Sequence, residues 1–420
     1  MKIFFHKLSI AFFVVSVIVF SYNESYTIIP KVSGLLLLAV YLSTLVDKYR
    51  IPLVTRETWI IIAWLFLSAI ASIYALDMDV SLKRLFTLLQ LFPVVFSLYV
   101  LITSSRLVTF TLCSIVITTL LVSIPTVLTP EKYSILGRAM ATLNNPNLYG
   151  YVLLVSIISC VRLGLYTSRA SILAICLLLS LFFTYMLVET ASRKAFISLF
   201  VSLFILSYLY VKSMPSNKKL LSIVVIISFA SVLISASIIL LNRSAKGYRI
   251  NHLLTAVASK DISKAEGSDR GRLMMYQTGF KSLLRNPLGV GLDNFRNLKL
   301  KNTSQNIIGT YSHSNYIEVA VCTGFLGFIV YYYFYFSIIL RLYKLRNNRL
   351  SKNNQALYDI CVSLIVLTLI YDFAMVSYYE KLTWIVLAAV YAETIILSKN
   401  RKHKRRNIIK YHYEPSYTSS

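Results

Sequence analysis

Residues 170–188 read ASILAICLLLSLFFTYMLV, an apolar run without a charged side chain. A helix needs about 20 such residues to cross the roughly 30 Å hydrocarbon core of a bilayer. Similar runs recur along the 420-residue chain, in which 57% of the residues are hydrophobic and 14% are charged. This composition is typical of a multi-span membrane protein. The alternation expected of membrane β-strands is absent, which argues against a barrel.

We therefore expect an all-α, polytopic transmembrane helix bundle with about 12 spans. The predicted spans are residues 8–22, 31–46, 58–75, 85–103, 107–128, 148–165, 170–188, 195–211, 220–241, 314–340, 357–377 and 382–398. The first span follows Lys2 and Lys7 as a secretory signal would, but no small-x-small cleavage site follows it, and we expect a retained helix.

The predicted organisation has four parts. They are residues 1–241 with nine spans, an extracytoplasmic basic loop at 242–312, three spans at 313–398, and a basic cytoplasmic tail at 399–420.

The net charge of +26 would suggest a nucleic-acid ligand in a soluble protein. In this chain Lys and Arg collect in alternate short loops, as the positive-inside rule requires if both termini are cytoplasmic. The remaining charge suits anionic lipid headgroups, and nucleic-acid binding has no further support. The five cysteines all lie in apolar spans, where they are most simply small buried hydrophobes, and neither a disulfide framework nor a zinc pattern is visible.

The loop at 242–312 departs from this charge rule. It holds twelve basic and four acidic residues on the side that should be depleted of positive charge, which indicates an anionic partner. Within it, residues 267–292 predict an amphipathic helix along the membrane face, with Ser268 or Asp269 as cap and Asn286-Pro287 as stop.

Only one of two arginines in this predicted helix can face a common site with Tyr276. Arg270 and Arg272 are two positions apart, so their side chains diverge by about 200°. Arg272 precedes Tyr276 by four residues and shares its face, which favours Arg272 as the residue at a common site.

Arg193 and Lys194 begin another span at the predicted outer surface. One interpretation is that they snorkel to lipid headgroups. The other is that Arg193 and the free N–H groups of the helix N-terminus bind a phosphate.

His313 precedes the tenth predicted span in the sequence TYSHSNYIEVAVCTGFLGF, residues 310–328. It could end a loop at the interface, with Ser312 or Ser314 as helix cap, or it could accept a proton as a general base. Glu318 could position His313, satisfy a neighbouring helix, or form an ordinary buried hydrogen bond. Glu318, Asp372 and Glu393 are the main candidates for an intramembrane ion path, which a coupled transporter would need.

Four segments together resemble the bacterial O-antigen ligase and polymerase superfamily of integral membrane glycosyltransferases. They are LNNPNLYGY at 143–151, ETASRKAF at 189–196, SDRGRLMMYQTGFKSLLRNPLGVGLDNF at 268–295, and HSNYIEVAVCTGFLGF at 313–328. Many relatives have His-x-His-Asn or His-Asn at the last segment, whereas this chain has Ser314 between His313 and Asn315.

The resemblance implies a donor glycan on undecaprenyl diphosphate and a glycan acceptor at the outer face of the bacterial inner membrane. Arg193 and Arg272 match arginines that hold the diphosphate, and His313 matches the histidine that assists the attacking hydroxyl. These three are the expected catalytic residues. Expected substrate contacts come from Arg138, Asn147, Arg270, Tyr276, Asn315, Tyr316 and Glu318.

We expect no metal and no cofactor, because arginines can stabilise the leaving diphosphate as a divalent cation does elsewhere. The favoured function is polymerisation of lipid-linked repeat units, with a chain-length regulator as partner besides the membrane lipids. The alternatives are ligation of the glycan to a lipid A core and, in a different class, a polysaccharide transporter or flippase.

Overall fold

The computed structural model describes residues 2–48, 55–135, 137–167, 169–213, 267–298, 311–346, 352–373 and 375–413. Twelve α-helices occur in these ranges. They are α1 (Lys2–Phe20), α2 (Ile28–Lys48), α3 (Arg56–Ile73), α4 (Met78–Leu101), α5 (Ser105–Leu128), α6 (Pro146–Tyr166), α7 (Ala170–Glu189), α8 (Arg193–Ser213), α9 (Gly267–Arg285), α10 (Asn315–Leu345), α11 (Lys352–Asp372) and α12 (Lys381–Tyr413). Two antiparallel strands of two residues each, β1 (Ser134–Ile135) and β2 (Arg138–Ala139), pair with each other.

Eleven of the described helices are long and apolar enough to cross a membrane, which confirms the all-α multi-span fold. They correspond to eleven of the twelve predicted spans. The remaining predicted span, 220–241, lies outside the described residues. Helix α12 continues past the predicted end of its span and through the basic segment to Tyr413.

Helix α9 is the amphipathic helix predicted from residues 267–292, and it ends at Arg285, before Asn286-Pro287. The predicted caps were wrong, because the helix already includes Gly267 and both Ser268 and Asp269 lie inside it. Its apolar stripe, Leu273, Phe280 and Leu284, is exposed to the surroundings of the protein. Such an exposed stripe suits contact with lipid.

The segments that join the described spans lie at the two ends of the bundle. At one end, which we call the site end, lie the 128–146, 189–193 and 372–381 segments. Contacts between distant segments join them there. The Ser192 hydroxyl lies 2.9 Å from the Asn147 amide oxygen, and the Asn315 amide oxygen accepts from the backbone N–H of Ser377 at 2.9 Å.

Helix α10 is broken at Gly324, where the backbone has φ 75° and ψ 178°. A Cβ at Gly324 would collide with the carbonyl oxygen of Pro287, and one at Gly289 would meet the carbonyl oxygen of Cys322 at 2.6 Å. The two segments therefore approach backbone to backbone, which only glycine permits there.

Backbone hydrogen bonds hold this contact. The N–H of Val290 donates to Val321 at 3.0 Å, that of Gly291 to Cys322 at 3.1 Å, and that of Phe325 to Pro287 at 3.0 Å. The break frees carbonyl groups of α10, and the segment after α9 satisfies them. The quoted motifs LLRNPLGVGL and CTGFLGF are thus two halves of one structural joint.

The opposite end of the bundle carries its own buried charges. The Arg341 guanidinium grips the Glu57 carboxylate through two hydrogen bonds, of 2.6 and 2.7 Å, and the Tyr391 hydroxyl donates to the same carboxylate at 2.7 Å. Arg162 and Asp359, both fully buried, form a second ion pair. Pairing makes these charges tolerable in a membrane protein, and we assign them to helix packing.

We predict that the site end faces outward and the opposite end faces the cytoplasm. A cysteine replacing the exposed Glu131 at the site end should react with a membrane-impermeant maleimide in intact cells. A cysteine replacing the exposed Arg346 at the opposite end should react only after permeabilisation. The reverse labelling pattern would contradict this orientation.

Candidate functional site

His313 lies in a tight turn that leads into α10. Its backbone is left-handed, with φ 59°, an uncommon conformation for a residue with a side chain. The buried Glu318 carboxylate accepts from the N–H of Ser312 at 2.8 Å, and the Ser312 hydroxyl donates to the carbonyl of Ser314 at 2.7 Å. These bonds hold the strained turn in place, as is common where a side chain must point in one direction.

A second network anchors the same turn to the segment between α11 and α12. The buried Asn315 amide accepts from the N–H groups of Ser377 at 2.9 Å and Tyr378 at 3.0 Å. It also donates to the Asp372 carboxylate at 3.2 Å. Because the amide is fully used within the protein, Asn315 fixes the position of its neighbour His313. Ser314 precedes α10, but its hydroxyl donates to the carbonyl of Asp372 at 3.3 Å and caps no helix.

Three cations surround this turn. Arg272 of α9 and Lys194 of α8 both lie within electrostatic range of the His313 imidazole. Arg138 of β2 and Arg272 lie within electrostatic range of the Lys194 ammonium. Three segments that are distant in sequence thus place their positive charges together, next to a histidine.

The His313 imidazole is neutral at neutral pH. Burial lowers its pKa, the nearby charges of Arg272 and Lys194 lower it further, and the resulting pKa is about 4. The Tyr311 ring lies against it, with 4.4 Å between ring centroids. A neutral imidazole can accept a proton, while its cationic neighbours disfavour the protonated form unless an anion is also present.

The turn between α7 and α8 positions the basic pair at the start of α8. Ala191 is left-handed, with φ 46°, and the Arg138 Nε donates to the carbonyl of Thr190 at 3.0 Å. The Ser192 hydroxyl accepts from the N–H of Ala195 at 3.4 Å, so Ser192 caps α8. Through its contact with Ser192, Asn147 connects this turn to the start of α6.

The structure brings together His313, Arg272 and Arg138 from the predicted site. Arg193 begins α8 beside them, partly buried. Arg270 belongs to α9, but its side chain lies outside the described part of the chain.

The other predicted contact residues hold internal partners. The Tyr276 hydroxyl donates to the carbonyl of Phe373 and the Tyr316 hydroxyl to that of Leu369, each at 3.0 Å. Glu318 and Asn315 are fully engaged as described above. Substrate binding by these four residues remains a prediction, and their geometry favours a supporting role.

Lys194 and Tyr311 were missing from the predicted set. The sequence predicts that Lys194 begins the span together with Arg193, but it assigns Lys194 no separate role in the site. Its ammonium also lies 5.6 Å from the centroid of the Tyr371 ring. The sequence offered one signal for Lys194. Adjacent residues of a helix point about 100° apart, so when two cations begin a helix, either one can be the residue that faces the bundle.

The expectation of metal-free chemistry overlooked the sequence Asp77-Met78-Asp79. In the structure the Asp77 carboxylate accepts from the N–H of Val80 at 3.1 Å and caps α4. No cluster of three or more potential metal-ligating side chains occurs in the described ranges. Metal independence therefore remains a prediction.

A cluster of cations beside a neutral imidazole suits an anionic ligand and a nearby proton donor. Guanidinium groups bind phosphate oxygens in a planar fork, and the imidazole can take the proton of a hydroxyl. The site lies at one end of a membrane bundle, so such a ligand could keep a lipid tail in the bilayer.

A known family model matches part of the chain. Residues 178–332 match the family model described as O-antigen ligase. The matched region contains α8, α9 and the turn with His313. It confirms the resemblance to the O-antigen ligase and polymerase superfamily. No curated protein matches the chain.

Proposed function

We propose that this chain, with its O-antigen ligase region at 178–332, is a membrane glycosyltransferase that uses a polyprenyl-diphosphate-linked glycan as donor. The observation that carries the proposal is the cation cluster of Arg138, Lys194 and Arg272 beside the neutral His313. A diphosphate neutralises these charges, and a membrane bundle accommodates its polyprenyl tail.

In the proposed reaction an acceptor hydroxyl attacks the anomeric carbon of the donor glycan. The bond between that carbon and the phosphate oxygen breaks, the diphosphate leaves with the bonding electrons, and the hydroxyl proton passes to His313. Arg272, Arg193, Arg138 and Lys194 stabilise the charge that develops on the leaving diphosphate. The same anion raises the pKa of His313, because it offsets the neighbouring positive charges. Donor binding thus prepares the base.

The favoured acceptor is a second lipid-linked repeat unit, which makes the protein a polymerase of O-antigen, capsule or exopolysaccharide. This preference rests on the likeness of the 313–328 segment to the polymerase branch. A ligase that transfers the glycan to a lipid A core is the second candidate, supported by the description of the matching family. We place the reaction at the outer face of the bacterial inner membrane.

A transporter has less support from the described residues. The three acidic side chains considered for an ion path are held by internal hydrogen bonds: Asp372 by Ser377, Glu393 by Ser105 at 2.8 Å, and Glu318 by Ser312. Each therefore has a structural partner.

The lipid that copurifies with the protein provides a test. We expect mass spectrometry of gently solubilised protein to detect a polyprenyl diphosphate carrying an oligosaccharide. The variant Arg272→Ala should retain less of it, and Arg285→Ala, at the exposed end of the same helix, should retain as much as the wild type. Retention of phospholipid alone would contradict the proposed donor, and equal retention of the donor by all three proteins would contradict the role of Arg272.

A further inference from the structure

Glu380 is a partly exposed carboxylate at the site end that the mechanism above does not use. It directly precedes α12, and the hydroxyl of Tyr22, which follows α1, donates to its Oε2. The Glu380 N–H donates to the carbonyl of Ser377 at 3.0 Å, in the segment that also binds Asn315. Glu380 and His313 are thus held by the same short segment.

Several polar atoms of Glu380 and of residues near it are available for hydrogen bonds to a ligand. Within the described ranges, the Oε1 of Glu380 and the hydroxyls of Tyr311 and Tyr379 have no hydrogen-bond partner. The negative charge of Glu380 acts on both tyrosines: burial raises the pKa of Tyr311 and of Tyr379, and Glu380 raises each further. Tyr311 lies within electrostatic range of Glu380, and its ring contacts the His313 imidazole, with 4.4 Å between ring centroids.

The negative charge of Glu380 indicates which class of ligand can bind beside it. The Glu380 carboxylate repels a diphosphate, which the cation cluster beside His313 attracts. The nearby cation Arg84, whose guanidinium carbon lies 3.9 Å from the centroid of the Tyr379 ring, is paired with Asp293 at 2.7 Å. Carboxylate and phenol oxygens accept hydrogen bonds from hydroxyl groups, and aromatic rings offer apolar faces. These are the groups that would recognise the hydroxyls and ring faces of a sugar.

We propose that Glu380, Tyr311 and Tyr379 form the subsite that binds the acceptor glycan next to His313. This inference rests on the proposed glycosyl transfer. The subsite presents an acceptor hydroxyl to the imidazole, while Tyr22 holds the carboxylate in place. Glu380 binds the acceptor and takes no proton from it.

The variant Glu380→Gln tests the subsite because it removes the charge and retains the shape and the bond from Tyr22. Transfer would be assayed with the lipid-linked oligosaccharide of the producing cells as donor, and with the oligosaccharide released from it by mild acid as varied acceptor. A hydrogen bond to a charged group contributes about 1.5–3 kcal/mol, which corresponds to roughly a 10- to 150-fold rise in acceptor KM. Donor affinity should stay within about twofold of the wild type, an estimate from the distance rule for independent sites.

Two further variants sharpen the result. Glu24→Gln removes an exposed carboxylate from the same end of the bundle and should leave the acceptor KM unchanged. Tyr311→Phe removes one hydroxyl while keeping the ring against His313, and should raise the acceptor KM about 3- to 10-fold, as for a neutral hydrogen bond.

The outcomes separate this inference from the proposed function. A wild-type protein that binds no donor and transfers nothing contradicts the glycosyltransferase itself. A functional wild type with unchanged acceptor KM in both Glu380→Gln and Tyr311→Phe overturns the subsite alone. Loss of donor affinity in Glu380→Gln, together with a normal acceptor KM in Tyr311→Phe, would assign Glu380 a structural role and also overturn it.

Discussion

Replacement of His313 by alanine is expected to lower glycan transfer by about 10²- to 10⁴-fold, the usual contribution of a positioned general base. Donor affinity should persist, because the cations that bind the diphosphate lie on other segments. Transfer and donor binding would be measured on the same detergent-purified samples. The control is His6→Ala, which should behave as the wild type, because His6 lies near the start of α1 and so at the end of the bundle opposite the site. Transfer at the wild-type rate in His313→Ala would contradict the base assignment.

The pH dependence of the wild type adds a second readout of His313. Activity should fall as pH falls, because a protonated imidazole cannot accept a proton. In the free protein the pKa of His313 is about 4, so the acid limb of kcat/KM should lie near that pH. Bound diphosphate raises this pKa, so the acid limb of kcat should lie at higher pH. Coincident limbs would indicate that the diphosphate is remote from His313.

Arg272→Lys and Arg193→Lys are expected to lose about 10²-fold or more of transfer activity, the scale observed when one charge-stabilising donor is removed. Lysine keeps the charge but cannot supply two parallel N–H donors to a diphosphate. Expression and membrane insertion should be retained.

The matched control for these variants is Arg285→Lys, in the last turn of α9. This exposed arginine is outside the proposed site, and its variant should keep wild-type activity. Full activity in both Arg272→Lys and Arg193→Lys would instead assign those arginines to headgroup contacts.

The transmembrane helices were predictable because each one must be a long apolar run, whatever its neighbours are. Helix α7, from Ala170 to Glu189, matches the prediction at 170–188 almost to the residue. Two of the candidate cations, Arg193 and Arg272, could also be anticipated. Charged residues are uncommon in apolar segments, and positive charge is uncommon in outward-facing segments.

The supporting structure could not be predicted in the same way. The joint between Gly289 and Gly324 depends on backbone groups that approach across 35 positions of sequence, and periodicity does not reveal such an approach. Asn315 was expected to contact substrate, but a tertiary network occupies it. The sequence could not show that Lys194 faces the site, because the direction of its side chain depends on how α8 packs.

A transfer assay with purified protein is the most direct test of the proposed glycan transfer and of His313 as its base. The wild type and His313→Ala would be reconstituted separately with lipid-linked repeat units as both donor and acceptor, without nucleotide sugar or added metal. We expect the wild type to release polyprenyl diphosphate and to form new glycosidic bonds in equal amounts, and His313→Ala to bind the same donor with little product. A wild type that forms no product with any glycan acceptor while the donor remains bound and intact would contradict the proposed transfer.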